Sequence, residues 1–187
     1  MSGVIRDPVT SLGMGVNIAG RGLVSSIQEA FDRHENHERG GVWSYVMEDI
    51  NPAGANDKFF YITNTSSTKD YAVTDVRAFA STAVGKLSIK TVSGTPTYVT
   101  GTDVVPASRN TRYSTSPEIT AKHDTDITGL TDSGLIFLMN LRVADTDYHL
   151  RTTSNIILGP GGAMALEWEA ATGEVSATVS VVELEPV

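Results

Sequence analysis

The chain has 187 residues, a length that fits one domain or one domain with an appendage. Its 22 acidic and 14 basic residues give a formal net charge of -8, so the surface as a whole repels phosphate backbones and nucleic-acid binding is disfavoured. Because the chain contains no cysteine, it cannot be a disulfide scaffold or contain a thiol nucleophile.

Membrane-spanning and secreted proteins are disfavoured as well. No segment approaches the ~20 uninterrupted apolar residues that a membrane span needs, and the longest apolar stretch is only Leu135–Met139. The N-terminal segment lacks a basic region followed by a continuous apolar run, so it does not have the pattern of a signal peptide. We therefore expect a chain that is made in a cytoplasm and has no membrane partner.

Residues 1–20 are predicted to form an N-terminal arm. This segment is rich in glycine, and its apolar residues alternate with small or polar ones. It cannot bury a core alone, so it is either frayed or held as an extended arm against another surface. The arm residues that we predict at an interface are Leu12, Met14, Val16 and Ile18.

The pattern changes after the arm, where apolar residues recur at helical spacing. Residues 23–37 are therefore predicted to form a short amphipathic helix. Gly40 and Gly41 end it, because glycine tolerates the left-handed conformation that follows many helices. The apolar stripe packs either on the β domain or on a neighbouring subunit. Its predicted interface residues are Leu23, Ile27 and Phe31.

Everything after Gly41 has the pattern of strands and turns. Apolar residues alternate with polar ones in Leu135–Val143, Met164–Trp168 and Glu174–Leu184, which is the period of two that a strand requires. In the first of these segments the odd positions form a continuous apolar face. Further strands are predicted at Trp43–Asp49, Lys58–Asn64, Tyr71–Phe79, Lys86–Val92, Thr97–Thr100, Glu118–Lys122 and Asn155–Leu158.

Turn signals rich in glycine, proline and small polar residues separate these strands. They lie at Asn51–Gly54, Asn64–Asp70, Ser93–Gly94, Asp132–Gly134, Gly159–Gly162 and Thr172–Gly173. Many short strands with such turns predict an all-β fold, and we favour an antiparallel jelly-roll-like β-sandwich over a smaller immunoglobulin-like one. Residues 1–41 are then an N-terminal arm plus helix, and residues 42–187 are the sandwich domain.

The last strand changes its apolar face near its end. Val182 and Leu184 fall on the side that carries Ser176, Thr178 and Ser180. This switch indicates a bulge or a strand that changes partners. Because exposed apolar residues of this kind often form interfaces, we predict Val182 and Leu184 as interface residues.

Titratable residues do not show the spacing of a catalytic or metal site. His34 and His37 are one helical turn apart, but they lack the metalloprotease spacing. His123 and His149 are isolated, and the closely spaced histidine pair of cupin-type barrels is missing. We therefore predict no catalytic residue, no metal ligand and no cofactor, and we expect a protein that is not an enzyme.

Acidic residues leave two other possibilities. The triplets Asp124–Asp126 and Asp145–Asp147 could offer carboxylates to calcium, but they are interpreted as loop caps that bind nearby backbone amides. Glu167 and Glu169 lie on one face of a predicted strand, about 7 Å apart, a spacing that overlaps that of an inverting glycosidase pair. We interpret them as solvent-facing or interfacial residues.

Several successions of strand and turn residues together have a recognisable form. They are Phe59–Ser66, Tyr98–Val105 and Ile156–Leu166, the last of which leads into the terminal strand Val175–Val182. Over roughly residues 42–187 the chain resembles a family of small jelly-roll proteins of tailed-phage virions, the capsid cement or decoration proteins. The upstream helix and the glycine-rich arm fit the same pattern.

The resemblance implies a structural protein of the bacteriophage virion, assembled in the host cytoplasm. Such a protein stabilises the phage head by binding across major capsid protein subunits. The resemblance also implies a homotrimer whose terminal arm reaches across neighbouring subunits. An alternative is a tail or fibre protein that binds host glycans, for which Tyr98, Tyr113 and Tyr148 could supply stacking rings. A β-barrel enzyme would need convergent titratable groups.

Overall fold

A computed structural model describes residues 4–6, 13–15, 41–81, 84–112, 116–143, 146–170 and 173–184. All regular structure in these ranges is β-strand, which confirms the predicted all-β class. The strands are β1 Val4–Arg6, β2 Gly13–Gly15, β3 Val42–Ile50, β4 Asp57–Asn64, β5 Asp70–Ala80, β6 Gly85–Tyr98, β7 Thr102–Asp103, β8 Ala107–Ser108, β9 Ile119–His123, β10 Ile127–Leu141, β11 Tyr148–Leu158, β12 Ala163–Trp168 and β13 Val175–Leu184.

Two antiparallel sheets make up the body of the fold. The six-stranded sheet has the order β10-β6-β12-β4-β9-β7, and the five-stranded sheet has the order β11-β5-β13-β3-β8. Successive strands from β3 to β6 alternate between the sheets, and so do β10 to β13. The pairings are nested, because β3 pairs with β13, β4 with β12, β5 with β11 and β6 with β10.

One large apolar core joins the two sheets. Trp43 and Tyr71 of the five-stranded sheet pack edge to face, with ring centroids 6.3 Å apart, and Trp168 of the six-stranded sheet belongs to the same core. Alternation places these side chains on the inner faces. The largest fully buried side chains are Trp43, Trp168, Tyr45, Tyr71, Phe59, Phe60, Met47, Ile62, Leu87, Ile89, Leu141 and Leu158.

A second, smaller apolar cluster lies on the other face of β12. Every residue of β12 is buried: Met164 and Leu166 belong to the large core, whereas Ala163 and Ala165 belong to the second cluster. Besides Tyr61 of β4, the residues that pack against these alanines come from the second half of β6 and the beginning of β10. The second cluster contains Tyr61, Val92, Ile127, Ala163 and Ala165, with Tyr98 and Leu130 half-buried beside it.

β6 and β10 are longer than predicted. The expected turns at Ser93–Gly94 and Asp132–Gly134 are wrong, because both segments lie inside paired strands. The strand predicted separately at Thr97–Thr100 is in part the continuation of β6, which ends at Tyr98. Gly94 adopts a φ of 100° and still pairs with Leu130.

Three register shifts between β10 and β6 explain how these strands continue through glycine-containing segments that would normally form turns. They fall between Thr128 and Leu130, between Asp132 and Gly134, and between Leu135 and Phe137. The first shift places one extra residue on β6, and the other two each place one extra residue on β10, as β-bulges do. The turn signals in this pair of strands are therefore bulge signals.

The N-terminal predictions fall largely outside the described residues. Within residues 1–20, β1 and β2 pair with each other, and Met14 lies opposite Ile5. The other predicted interface residues of this region, Leu12, Val16, Ile18, Leu23, Ile27 and Phe31, and the helix predicted over residues 23–37, lie outside the described ranges. In the part of the chain that is described, no helix is long and apolar enough to cross a membrane.

Candidate interaction surface

An edge strand carries a run of exposed apolar side chains. β10 is the outermost strand of the six-stranded sheet. The exposed fractions along it are 58% for Leu135, 37% for Ile136, 42% for Phe137 and 38% for Leu138. We call the segment Leu135–Leu138 the apolar edge. Four consecutive large apolar residues with this much exposure form a contiguous apolar patch, which is unusual on the surface of a protein that has no partner there.

The bulge at Ile136 is the local reason for this exposure. Phe137 pairs with the core residue Ile89, whereas Leu138 pairs with Ser88 on the opposite face of the sheet. Because the extra residue interrupts the strict alternation, apolar side chains project from both faces of the strand. The apolar edge therefore presents hydrophobic surface both beside the core and on the outside of the sheet.

The sequence predicted one continuous apolar face over the odd positions of Leu135–Val143. Met139 and Leu141 are buried as expected, but Leu135, Phe137 and Val143 are exposed. Phe137 still shares the face of Met139 and Leu141, as predicted, although it is partly exposed. The prediction is wrong for Leu135, which the bulge turns to the other face, and for Val143, because β10 ends at Leu141.

The backbone of the apolar edge adds a second kind of binding capacity. One side of β10 pairs with β6, and no other described strand pairs with its free side. Such an edge presents unpaired N–H and C=O groups to another strand. The segment Gly134–Met139 contains no charged residue, while Asp132 and Arg142 lie on either side of it.

A neutral cluster of charges lies on the outer face of the six-stranded sheet. Lys90 Nζ lies 2.8 Å from Asp132 Oδ2 and 2.7 Å from Glu167 Oε2. Lys58 Nζ lies 3.0 Å from Asp132 Oδ1 and 3.4 Å from Glu167 Oε2. Burial alone would lower the pKa of Lys90, but its hydrogen bonds to Asp132 and Glu167 raise it.

Of the two glutamates considered as a catalytic pair, Glu167 belongs to this cluster and Glu169 does not. Burial would raise the pKa of Asp132, but Lys90 and Lys58 lower it, so Asp132 stays ionised near neutral pH. Glu167 is buried within the cluster. Glu169 pairs instead with Lys86 at 2.7 Å on the exposed surface. Both carboxylates are thus held by lysines and are not an isolated pair facing a cleft.

An open depression of about 430 Å³ lies on the outer face of the five-stranded sheet. Val46 and Phe79 form part of its lining, and Arg77 lies beside them. Glu48 and Asp147 contribute acidic side chains. The depression is broad and faces solvent, so it has the shape of a surface contact area rather than of a cleft that encloses a small substrate.

Two further candidate residues, Asp124 and His149, have structural partners. Asp124 accepts hydrogen bonds from the backbone N–H groups of Thr100 and Gly101, which confirms the interpretation of this aspartate as a loop cap. His149 contacts Asp75, which also pairs with Arg77. Among the described residues no group of three or more histidine, aspartate or glutamate side chains could hold a metal ion.

The tyrosines considered for glycan stacking are also engaged. Tyr98 is half-buried in the second cluster beside Tyr61, and burial raises its pKa to about 12. The Tyr148 hydroxyl accepts hydrogen bonds from the backbone N–H groups of Arg142 and Val143. Tyr113 lies outside the described ranges. Neither described ring is presented as a free stacking platform.

The two C-terminal interface residues are less accessible than predicted. Val182 is 1% exposed, and Leu184 is half-buried. Val182 lies opposite Val42 on β3 and Ala72 on β5, which are also buried. The expectation that Val182 is an exposed apolar residue is therefore wrong. β13 keeps the same partner strands to its end, so the face switch does not reflect a change of partners.

The apolar edge was missed by sequence analysis. The pattern of Leu135–Val143 predicted a strand with one apolar face, and only the run of consecutive apolar residues from Leu135 to Met139 could have indicated apolar side chains on both faces. Comparison with known proteins adds no further assignment: no protein-family model, no curated protein and no solved structure matches the chain.

Proposed function

We propose that the chain is a jelly-roll protein whose function is to bind other protein subunits. Support for this topology comes from the nested pairing of the strands. A long antiparallel hairpin that rolls up leaves its first strand beside its last, and the inner pairs alternate between two sheets. The pairs β3–β13, β4–β12, β5–β11 and β6–β10 follow that arrangement.

The observation that carries the binding function is the exposed apolar edge. Leaving large apolar side chains in water costs roughly 25 cal/mol for each Å², so their exposure on a rigid edge strand favours a protein partner that covers them. The space between the described sheets is not an alternative binding site, because Trp43, Trp168 and their neighbours fill it.

The biological form of this function that we propose is a capsid cement or decoration protein of a phage virion. Besides Tyr98–Val105 and the terminal strand β13, the residues that resemble this family include β4 with its following turn and the β11–β12 connection. Asn64 ties these two regions together, because its Nδ2 donates to the backbone O of Lys69 and of Leu158 at 2.7 and 2.8 Å. A pre-formed scaffold of this kind suits a protein that covers seams between shell subunits.

Binding to assembled shells tests the proposal. We expect the purified chain to co-sediment with empty shells, to bind free major capsid protein subunits weakly, and to raise the temperature at which the shells dissociate. A matched glycan array tests the tail or fibre alternative. Binding to a glycan without any binding to shells would contradict the cement function.

Imaging of native particles provides the second readout. A cement protein is expected over the seams between shell subunits, in many copies for each particle. Density for the chain confined to the tail, with none on the head, would overturn the proposed location and favour the alternative.

A further inference from the structure

The apolar edge has a geometry that selects one partner. We propose that it pairs with the same edge of a second copy of this chain, so that two β10 strands run antiparallel across a two-fold axis. This inference rests on the proposed function of the apolar edge as a protein-binding surface, and it names the partner that covers that surface.

Side-chain chemistry supports a second copy. Apolar side chains project from both faces of the strand, so a partner must supply apolar side chains on both faces as well. Phe137 lies on the inner face and Leu138 on the outer face, and an identical segment has the same property. An isologous pairing is self-complementary in this way. It also gives partners to the free N–H and C=O groups of the edge.

Charge decides the orientation. Each chain carries a net charge of -8, so two copies repel one another in general. The apolar edge avoids this repulsion, because Gly134–Met139 is uncharged. Asp132 precedes it, and Arg142 follows it. Antiparallel strands place the Asp132 end of one copy beside the Arg142 end of the other, whereas parallel strands would place like charges together.

Arg142 is available for this contact. Its side chain is exposed and makes no ion pair within the described ranges. Asp132 is exposed at the rim of the neutral charge cluster, with 39% of its side chain accessible. The register that sets Asp132 opposite Arg142 centres the paired strands on Phe137, so Phe137 lies close to its own copy at the two-fold axis.

The symmetry gives a sharp expectation for the oligomer. Antiparallel pairing of identical edges uses up both edges and closes at a dimer, whereas the phage resemblance implies a trimer. A single strand pair buries less than the roughly 1,200 Å² of a standard stable interface. We therefore expect a dissociation constant on the order of micromolar.

Light scattering across a concentration series of the purified chain is the first test. We expect a shift from the chain mass of 19.9 kDa to twice that mass. Leu135→Glu places a carboxylate opposite Lys90 within one chain, so the fold is retained, but in the dimer it puts a charge into the uncharged edge, opposite Met139 of the second copy. We expect the dissociation constant to rise at least about tenfold. Val105→Glu is the matched control, because Val105 is 79% exposed in a loop.

Disulfide formation supplies a test that does not depend on weakening the contact. The natural chain has no cysteine, so Phe137→Cys creates a single thiol near the proposed two-fold axis. We expect a covalent dimer under mild oxidation, and none from Val105→Cys. Hydrogen exchange of the unaltered chain should show amides of residues 134–139 becoming slower as concentration rises.

A chain that stays monomeric throughout the series, a trimer, or a dimer that Leu135→Glu leaves unchanged would each overturn the edge pairing. The shell assay separates this failure from failure of the proposed function. A monomer that still binds shells removes the edge pairing alone. A dimer that the glutamate variant disrupts, but that ignores shells, retains the edge pairing and removes the cement function.

Discussion

Asp124 shows how one buried carboxylate holds two loops together. It is 5% exposed, and its Oδ2 accepts the backbone N–H groups of Thr100 and Gly101 at 2.8 and 2.9 Å. Its Oδ1 accepts the N–H of Thr125 at 2.6 Å. Burial would raise the pKa of Asp124, but these amides outweigh it and lower the pKa below the usual aspartate value. The ionised form is therefore the stabilising one.

Replacing Asp124 by asparagine should lower the free energy of unfolding by about 2 kcal/mol at neutral pH. A lowered pKa gives stability that is present above the unfolded-state pKa and is lost as pH falls through the folded-state value. The difference between the natural chain and Asp124→Asn should thus shrink in acid. Urea unfolding at pH 7 and near pH 3 measures it, with exposed Asp70→Asn as the control. A difference that is constant with pH would contradict the charged cap.

The antiparallel pair of β6 and β10 depends on glycine at one of its bulges. Gly129 has a φ of 74°, and a Cβ added there would lie 2.5 Å from the backbone O of Thr95. Gly161 has a nearly equal φ of 73°, but nothing lies within 4 Å of its added Cβ. The two positions therefore share the strain of a left-handed backbone and differ in the space around it.

Alanine at these two glycines separates strain from crowding. Gly161→Ala should cost about 1 kcal/mol of unfolding free energy, the cost of a left-handed alanine. Gly129→Ala should cost at least about 2 kcal/mol more, because the backbone of the bulge must shift. Chemical denaturation of both variants measures the difference. Equal costs would show that the bulge accommodates a methyl group without strain.

The strand β12 joins its neighbours by charge as well as by packing. Glu167 forms ion pairs with both lysines of the neutral charge cluster, Lys58 and Lys90. Glu169, which follows β12, forms one exposed ion pair with Lys86. Glu167→Gln should lower the unfolding free energy by about 2 kcal/mol, because it leaves two half-buried lysines that share the single carboxylate of Asp132. Glu169→Gln should cost less than about 1 kcal/mol. Thermal or urea unfolding compares the variants, and a larger loss at Glu169 would contradict the burial argument.

Most strands could be predicted from alternation, or from short apolar runs bounded by turn signals where both faces are buried. Trp43–Asp49 and Lys58–Asn64, for example, fall within one residue of β3 and β4. The prediction failed where glycine does not end a strand. Ser93–Gly94 and Asp132–Gly134 have the composition of turns, and only the pairing of β6 with β10 turns them into bulges.

The apolar edge could not be predicted for a related reason. A residue pattern gives the direction of a side chain relative to its strand, but not the position of that strand in the sheet. Leu135–Leu138 are exposed because β10 lies at the edge of the sheet and because the bulge at Ile136 turns apolar side chains to both of its faces. Val182 shows the opposite error, since an apolar residue on a polar face is buried beside Val42.

At the scale of the whole molecule, we expect the arm to be separable from the sandwich. The large core begins at Trp43 and ends at Val181. β1 and β2 pair with each other and with no other described strand. The unfolding free energy of a chain that lacks residues 1–20, measured in urea, should therefore stay within about 0.5 kcal/mol of the value for the natural chain. Its affinity for assembled shells should fall, because an arm that orders on docking adds contact area.

A second variant separates the length of the arm from its apolar residues. Serine at Leu12, Met14, Val16 and Ile18 keeps the chain length and removes the side chains predicted at the interface. We expect this variant to lose as much shell affinity as the deletion, since burial of apolar surface drives docking. Co-sedimentation and urea unfolding, measured on the same samples, compare both variants with the natural chain. Equal shell binding by all of them refutes a docking function for the arm, and a large fall in midpoint makes the arm part of the folded core.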